Sequence, residues 1–153
     1  MTDYELLRGQ LRALGEEERH WLPLLSNASA LLFESLENVN WAGFYLLRGE
    51  ELLLGPFQGK VACIHIPLGR GVCGAAAAKD ETQLVPDVHA FPGHIACDSA
   101  SASEIVVPLH GGGHVIGVLD IDSPRPERFT EEDRRGLEDF ARTLEALADW
   151  RSV

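Results

Sequence analysis

An α+β domain built on a central antiparallel sheet is the fold this 153-residue sequence predicts, and three observations predict it. Two leucine-rich segments with helical periodicity open the chain. Two pairs of apolar, strand-like runs follow, each pair joined by a glycine-containing turn. An amphipathic segment with a helix-start signal closes it. The terminal helices are expected to pack on one side of the sheet.

The elements follow in order. Residues 3–14 place Leu6, Leu7, Leu11 and Leu14 on one face, and an acidic break from Gly15 to Glu18 ends that helix. A second helix carries Trp21, Leu24, Leu25, Ala28, Leu31, Leu32 and Leu36 at helical spacing, with Pro23 tolerated only in its first turn. The runs WAGFYLL and ELLLGPF flank Arg48-Gly49-Glu50 and form a hairpin. VACIHIP reads as a further strand, GRGVCGAAAAKD as a glycine turn opening a short helix, and TQLVPD as a brief strand. Residues 91–103 form a long loop with room for a helical turn. EIVVPLH and HVIGVLDID make a second hairpin around Gly111-Gly112-Gly113, stopped by Ser123-Pro124-Arg125-Pro126. Thr130 and Asp133 resemble a capping box for a last helix through Leu137, Phe140, Leu144 and Leu147. The length fits a single domain over residues 1–153.

Composition narrows the function. A net charge of −11 argues against nucleic acid or an anionic membrane as partner, since both need clustered Lys and Arg. The first eighteen residues alternate charge with leucine, which points away from an export signal and toward a cytoplasmic location. In such a compartment three cysteines are better explained by transient redox chemistry than by a structural disulfide framework.

Cys97 stands out among them. It lies in FPGHIACDSASASE, a run of turn-forming and small residues unlike a core strand. His94 is close enough in sequence to assist its ionisation, and Asp98 would oppose it. Cys63 alternates with Ala62 and Ile64 in a strand and reads as core by itself. Cys73 fits a buried hydrophobe beside four alanines, or a thiolate at a helix N-terminus. Cys63, His65, Cys73, His89, His94 and Cys97 could also be metal ligands, but the paired short spacings of common zinc sites are absent, and no metal is expected.

Asp120 and Asp122, two apart on a strand, share a face and are separated by roughly 6.5 Å of rise. Glu104 begins the preceding strand of that hairpin, so three carboxyl groups converge at one sheet end. Such a cluster suits a cationic group and can keep one carboxyl protonated by mutual repulsion. Trp41, at the start of the first strand, serves either the core or the wall of this pocket.

Taken together, NWAGFYLL, LGPFQGKVACIHIPLGRGVCG, DVHAFPGHIACDSASASEIVVPL and VIGVLDIDSP resemble the free methionine-(R)-sulfoxide reductase family, a catalytic branch of the GAF-domain fold. The resemblance runs from about Trp21 to Trp150. It implies reduction of free L-methionine (R)-sulfoxide, with Cys97 as catalytic cysteine, Cys63 as principal resolving cysteine and Cys73 as an additional one. It places Trp41, Glu104, Asp120 and Asp122, joined by Tyr45, in the substrate pocket. On this reading Glu104 or Asp122 protonates the sulfoxide oxygen, and Cys97 passes through a sulfenic acid. A Cys63–Cys97 disulfide is then recycled by thioredoxin or a similar dithiol, without a cofactor. A homodimer is expected. The competing reading is a non-catalytic GAF sensor that reports redox state through a disulfide.

Overall fold

The computed structural model describes residues 2–95, 97, 100–151 and 153. Two helices, α1 (Tyr4–Glu17) and α2 (Trp21–Ser35), lead into the hairpin β1 (Trp41–Arg48) and β2 (Glu51–Gly59). The short strand β3 (His65–Pro67) and helix α3 (Gly71–Lys79) follow, then β4 (Gln83–Val85) and a 3-10 turn at Val88–Ala90. The second hairpin, β5 (Ser103–Gly111) and β6 (His114–Ser123), precedes the last helix, α4 (Glu131–Leu147).

The six strands form one antiparallel sheet in the order β3-β2-β1-β6-β5-β4. Both edges are three-residue strands, so little unpaired backbone is offered for edge-to-edge association. The β5–β6 turn needs two consecutive left-handed residues, and Gly112 and Gly113 supply them at φ of 63° and 84°.

Period-2 alternation sorts the strand residues onto two faces. Ala42, Phe44 and Leu46 on β1, Ile105, Val107 and Leu109 on β5, and Leu119 and Ile121 on β6 pack under α1, α2 and α4. Trp41, Tyr45, Val106 and Val118 face the opposite way, toward α3. The terminal helices thus cover one side of the sheet, as the sequence predicts. The other side, covered only by short α3 and loops, is left with room for a site.

Local signals explain the helix ends. Asp3 accepts from the Leu6 amide to start α1, and Thr130 and Asp133 form a reciprocal capping box for α4. Pro23 falls in the first turn of α2, where no intrahelical amide is lost.

Three local expectations are corrected. Helix α1 does not stop at Gly15 but runs on to Glu17; Gly15 is an interior helix position that lies against Leu147 of α4, where a side chain has little room. Leu6 is not on the buried face but 58% exposed; the stripe that docks on α4 is Leu7 and Leu11. Tyr4 completes it, its ring filling the space above Gly136. The VACIHIP strand is restricted to His65–Pro67. Residues 61–64 are irregular, with Val61 91% and Ile64 57% exposed. The helical turn expected within 91–103 lies just before it, at Val88–Ala90.

Candidate functional site

Strand register builds the floor of the site. Trp41 on β1 and Glu104 on β5 both pair with Asp122 of β6, and Gly43 and Val106 both pair with Asp120. Alternation points Trp41, Tyr45, Glu104, Asp120 and Asp122 to the α3 side. They line one pocket with Cys73, His94, Ile95 and Cys97. Every site residue named from the sequence is therefore brought to this pocket, except Cys63, which sits beside it in the irregular 61–64 segment and is joined to Cys97.

Cys63 and Cys97 form a disulfide across 34 residues of chain, with Cα atoms 5.4 Å apart. Cys63 is thus not a strand residue; the chain leaves the ladder after Gly59 and carries the thiol against the cluster beside the pocket. Two buried aromatic side chains hold that segment. Trp41 Nε1 donates to the Lys60 carbonyl at 3.1 Å, and the Tyr45 hydroxyl donates to the Cys63 carbonyl at 2.9 Å. Trp41 also stacks on Tyr45 and on Phe57, so it serves core and pocket wall at once. These tethers and the Phe57 stack escape a reading of the sequence alone, because they depend on where the loop returns.

The electrostatics are dominated by burial. Glu104 and Asp120 are 8% and 5% exposed. Burial, then the neighbouring charges of Asp120 and Asp122, push the Glu104 carboxyl well above its ordinary range, so it is held as the neutral acid. Asp120 is also raised by burial, against hydrogen bonds from Glu104, Asp122 and Cys73 that favour its anion. Its Oδ1 has no hydrogen-bond partner among the described residues. The arrangement sets a Glu104 carboxyl whose burial favours the neutral form beside an Asp120 oxygen left without a hydrogen-bond partner among the described residues.

Cys73 does occupy the first turn of α3, but it is no thiolate. Burial, then the charges of Asp120 and Glu104, push the thiol well up, and its Sγ lies 3.9 Å from Glu104 Oε2. Tyr45 is likewise raised, first by burial and then by Asp120. His94 is lowered by partial burial and by His89, so it faces the pocket as a neutral base. Asp98 lies outside the described residues. Among the described residues, His65 pairs with Glu51 and His89 with Asp87. A different set, Cys73, Glu104 and Asp120, places its donor atoms within 4.8 Å of one another and could hold a cation.

The decisive geometry is a Cys63–Cys97 disulfide beside a pocket with an acidic and aromatic floor. The GAF domain model matches residues 22–147. The free methionine-R-sulfoxide reductase of Escherichia coli is 55% identical over 144 residues, covering 94% of this chain and 87% of that one. That of Saccharomyces cerevisiae is 48% identical over 86% and 77% of the two chains. This chain belongs to the free methionine-R-sulfoxide reductase family. The structure of the fRMsr of Staphylococcus aureus in complex with substrate superposes on this family member with a TM-score of 0.92 at 51% identity, covering 97% of each chain. Among the described residues of this reductase-family chain, no helix is long and apolar enough to cross a membrane.

Proposed function

We propose that residues 1–153 act as a single GAF-type domain that reduces free L-methionine (R)-sulfoxide to L-methionine. The observation that carries this reading is the Cys63–Cys97 bond above the Glu104, Asp120 and Asp122 cluster. A small zwitterion meets the needs of such a pocket. Its ammonium satisfies the Asp120 and Asp122 side, and its S-methyl end lies against the Trp41 face. Tyr45 completes the substrate wall. A free amino acid fits a buried acidic floor better than a residue within a protein chain, which has no ammonium to offer.

The chemistry follows from residue types. In the reduced protein, neutral His94 takes up the Cys97 proton, and the thiolate attacks the sulfoxide sulfur. Glu104, held as an acid, protonates the sulfoxide oxygen, with Asp122 in the adjacent register position as the alternative donor. The protonated oxygen passes from the substrate sulfur to the Cys97 sulfur as the bond between the two sulfurs breaks, which leaves Cys97 as a sulfenic acid and releases methionine. Cys63 attacks that sulfur, the S–S bond forms and water departs. Cys73, buried and neutral, is a reserve thiol beside Glu104. A dithiol such as thioredoxin returns two electrons and two protons to the disulfide.

Cys97→Ser is expected to produce no methionine in a single turnover of pre-reduced protein with the pure (R) epimer. Cys63→Ser is expected to give one equivalent and then stall with thioredoxin as reductant. Stoichiometric methionine from Cys97→Ser would falsify the assignment. Failure of the wild type to form methionine from either epimer would leave the sensor reading instead. The leucines left exposed on the N-terminal helices, Leu6 and Leu22, are the surface proposed for a homodimer, and a monomeric mass in solution would rule that out.

A further inference from the structure

The exposed apolar surface is concentrated around one sulfur atom. Five large hydrophobic residues are exposed among those described: Leu6, Leu22, Val61, Ile64 and Leu68. Three of the five fall in the eight residues from Val61 to Leu68, which contain Cys63. Val61 is 91% exposed although it also rims the pocket, and Ile64, next to Cys63, is 57% exposed. Isolated exposed apolar residues need no explanation, but a cluster beside a disulfide does.

Charge is distributed in the same way. The chain carries 24 acidic residues, yet none lies between Glu51 and Asp80, while Lys60, Arg70 and Lys79 do. Lys60 is exposed at the start of the irregular segment. At the far end, near Leu68, the collar borders Glu50, whose carbonyl accepts from the Leu68 amide, and Glu51, which pairs with His65 at 2.9 Å. The cationic half of the collar is therefore the Lys60 half.

The two sulfurs differ in setting, though both are half-buried. Cys97 lines the pocket, whereas Cys63 is not part of that lining and follows Val61 and precedes Ile64 in the exposed segment. We propose that Lys60, Val61 and Ile64 form the docking collar for a protein dithiol, one with an apolar surface around its thiol and acidic residues at its rim. The partner thiolate attacks Cys63 from outside, the Cys63–Cys97 bond breaks, and Cys97 leaves as a thiolate into the pocket. The second partner thiol then attacks the mixed disulfide, releasing Cys63 as a thiol and leaving the partner oxidised. Attack in this order restores the nucleophile at once and keeps the partner out of the substrate pocket. The proposal rests on the reductase reading above for the partner's role.

The test follows the disulfide itself rather than methionine, so the two readings fail separately. The oxidised protein is mixed with reduced bacterial thioredoxin or with dithiothreitol, and free thiols are counted by alkylation over time. Ile64→Glu is expected to slow reduction by thioredoxin about tenfold or more, with the dithiothreitol rate within about twofold of wild type. Lys60→Glu is expected to slow the thioredoxin reaction and to shift its salt dependence toward acceleration by added salt, since a local attraction becomes a repulsion that salt screens. Ile64→Ser removes apolar area without adding charge and guards against misfolding of the glutamate variant. Thioredoxin rates equal to wild type in all three variants overturn the proposal, as does equal slowing with both reductants. A change of oligomeric mass in Ile64→Glu, showing that a second copy of this chain covers the collar, overturns it too.

Discussion

Glu104→Gln should make this protein more stable while disabling it. The side chain is 8% exposed, and burial plus two neighbouring carboxyl groups hold it in the neutral form. In the unfolded chain the same group ionises near pH 4.3. The folded state therefore binds a proton that the unfolded state has lost, and stability falls as pH rises above that value. This contribution is complete below the unfolded pKa and disappears as pH climbs through the raised folded one. Each pH unit in that window removes about 1.4 kcal/mol from the wild type. The loss accumulates with each step in pH until the raised folded value is passed, and there it levels off. Glutamine keeps the shape and can still donate to Asp120, but it has no proton to lose. Urea unfolding of the oxidised wild type and Glu104→Gln at pH 5, 6 and 7 should give curves that diverge with pH, the variant being more stable at pH 7. Single-turnover methionine formation by the variant should drop by about 10²–10⁴, the usual loss when a general acid is removed. Parallel stability curves would refute a protonated Glu104, and a variant within a few-fold of wild-type activity would take the donor role from Glu104 and leave it to Asp122.

Two further variants probe the frame around the site. Tyr45→Phe removes the hydrogen bond to the Cys63 carbonyl, worth about 0.5–1.5 kcal/mol, so condensation of the Cys97 sulfenic acid with Cys63 should slow roughly 2- to 10-fold. A sulfenic-acid probe should then label Cys97 for longer relative to methionine release, and an unchanged ratio of the two rates counts against the tether. Gly74→Ala in α3 would put a Cβ 2.6 Å from the Pro67 carbonyl oxygen, backbone against backbone, and should destabilise by about 1–3 kcal/mol in denaturant unfolding. A neutral result there would mean that α3 shifts freely over the pocket.

The legible part of this molecule is local. Helical spacing, the Thr130–Asp133 cap and the Gly112-Gly113 turn each settle within a few residues. The α+β order, the two hairpins and the shared face of Asp120 and Asp122 therefore follow from residue order alone. Cys97 is marked by loop composition for the same reason. Other features are not legible because they depend on distant partners. The stripe of α1 shifts from Leu6 to Tyr4 because Gly136 of α4 leaves a gap for the ring. Cys63 looks like a strand residue until Trp41 and Tyr45 draw the segment off the ladder. Cys73 looks like a candidate thiolate until its helix N-terminus is set against two buried carboxyl groups.

By itself, then, the sequence determined the secondary elements, the grouping of acids at one sheet end, and the resemblance to a reductase family. Only the tertiary structure decided how the Cys63–Cys97 pair implied by that resemblance is brought together, which carboxyl burial favours as the neutral acid and which surface lies open beside Cys63. Periodicity and turn chemistry act over a few residues of chain, whereas desolvation and side-chain contact arise only when distant segments close around the same space.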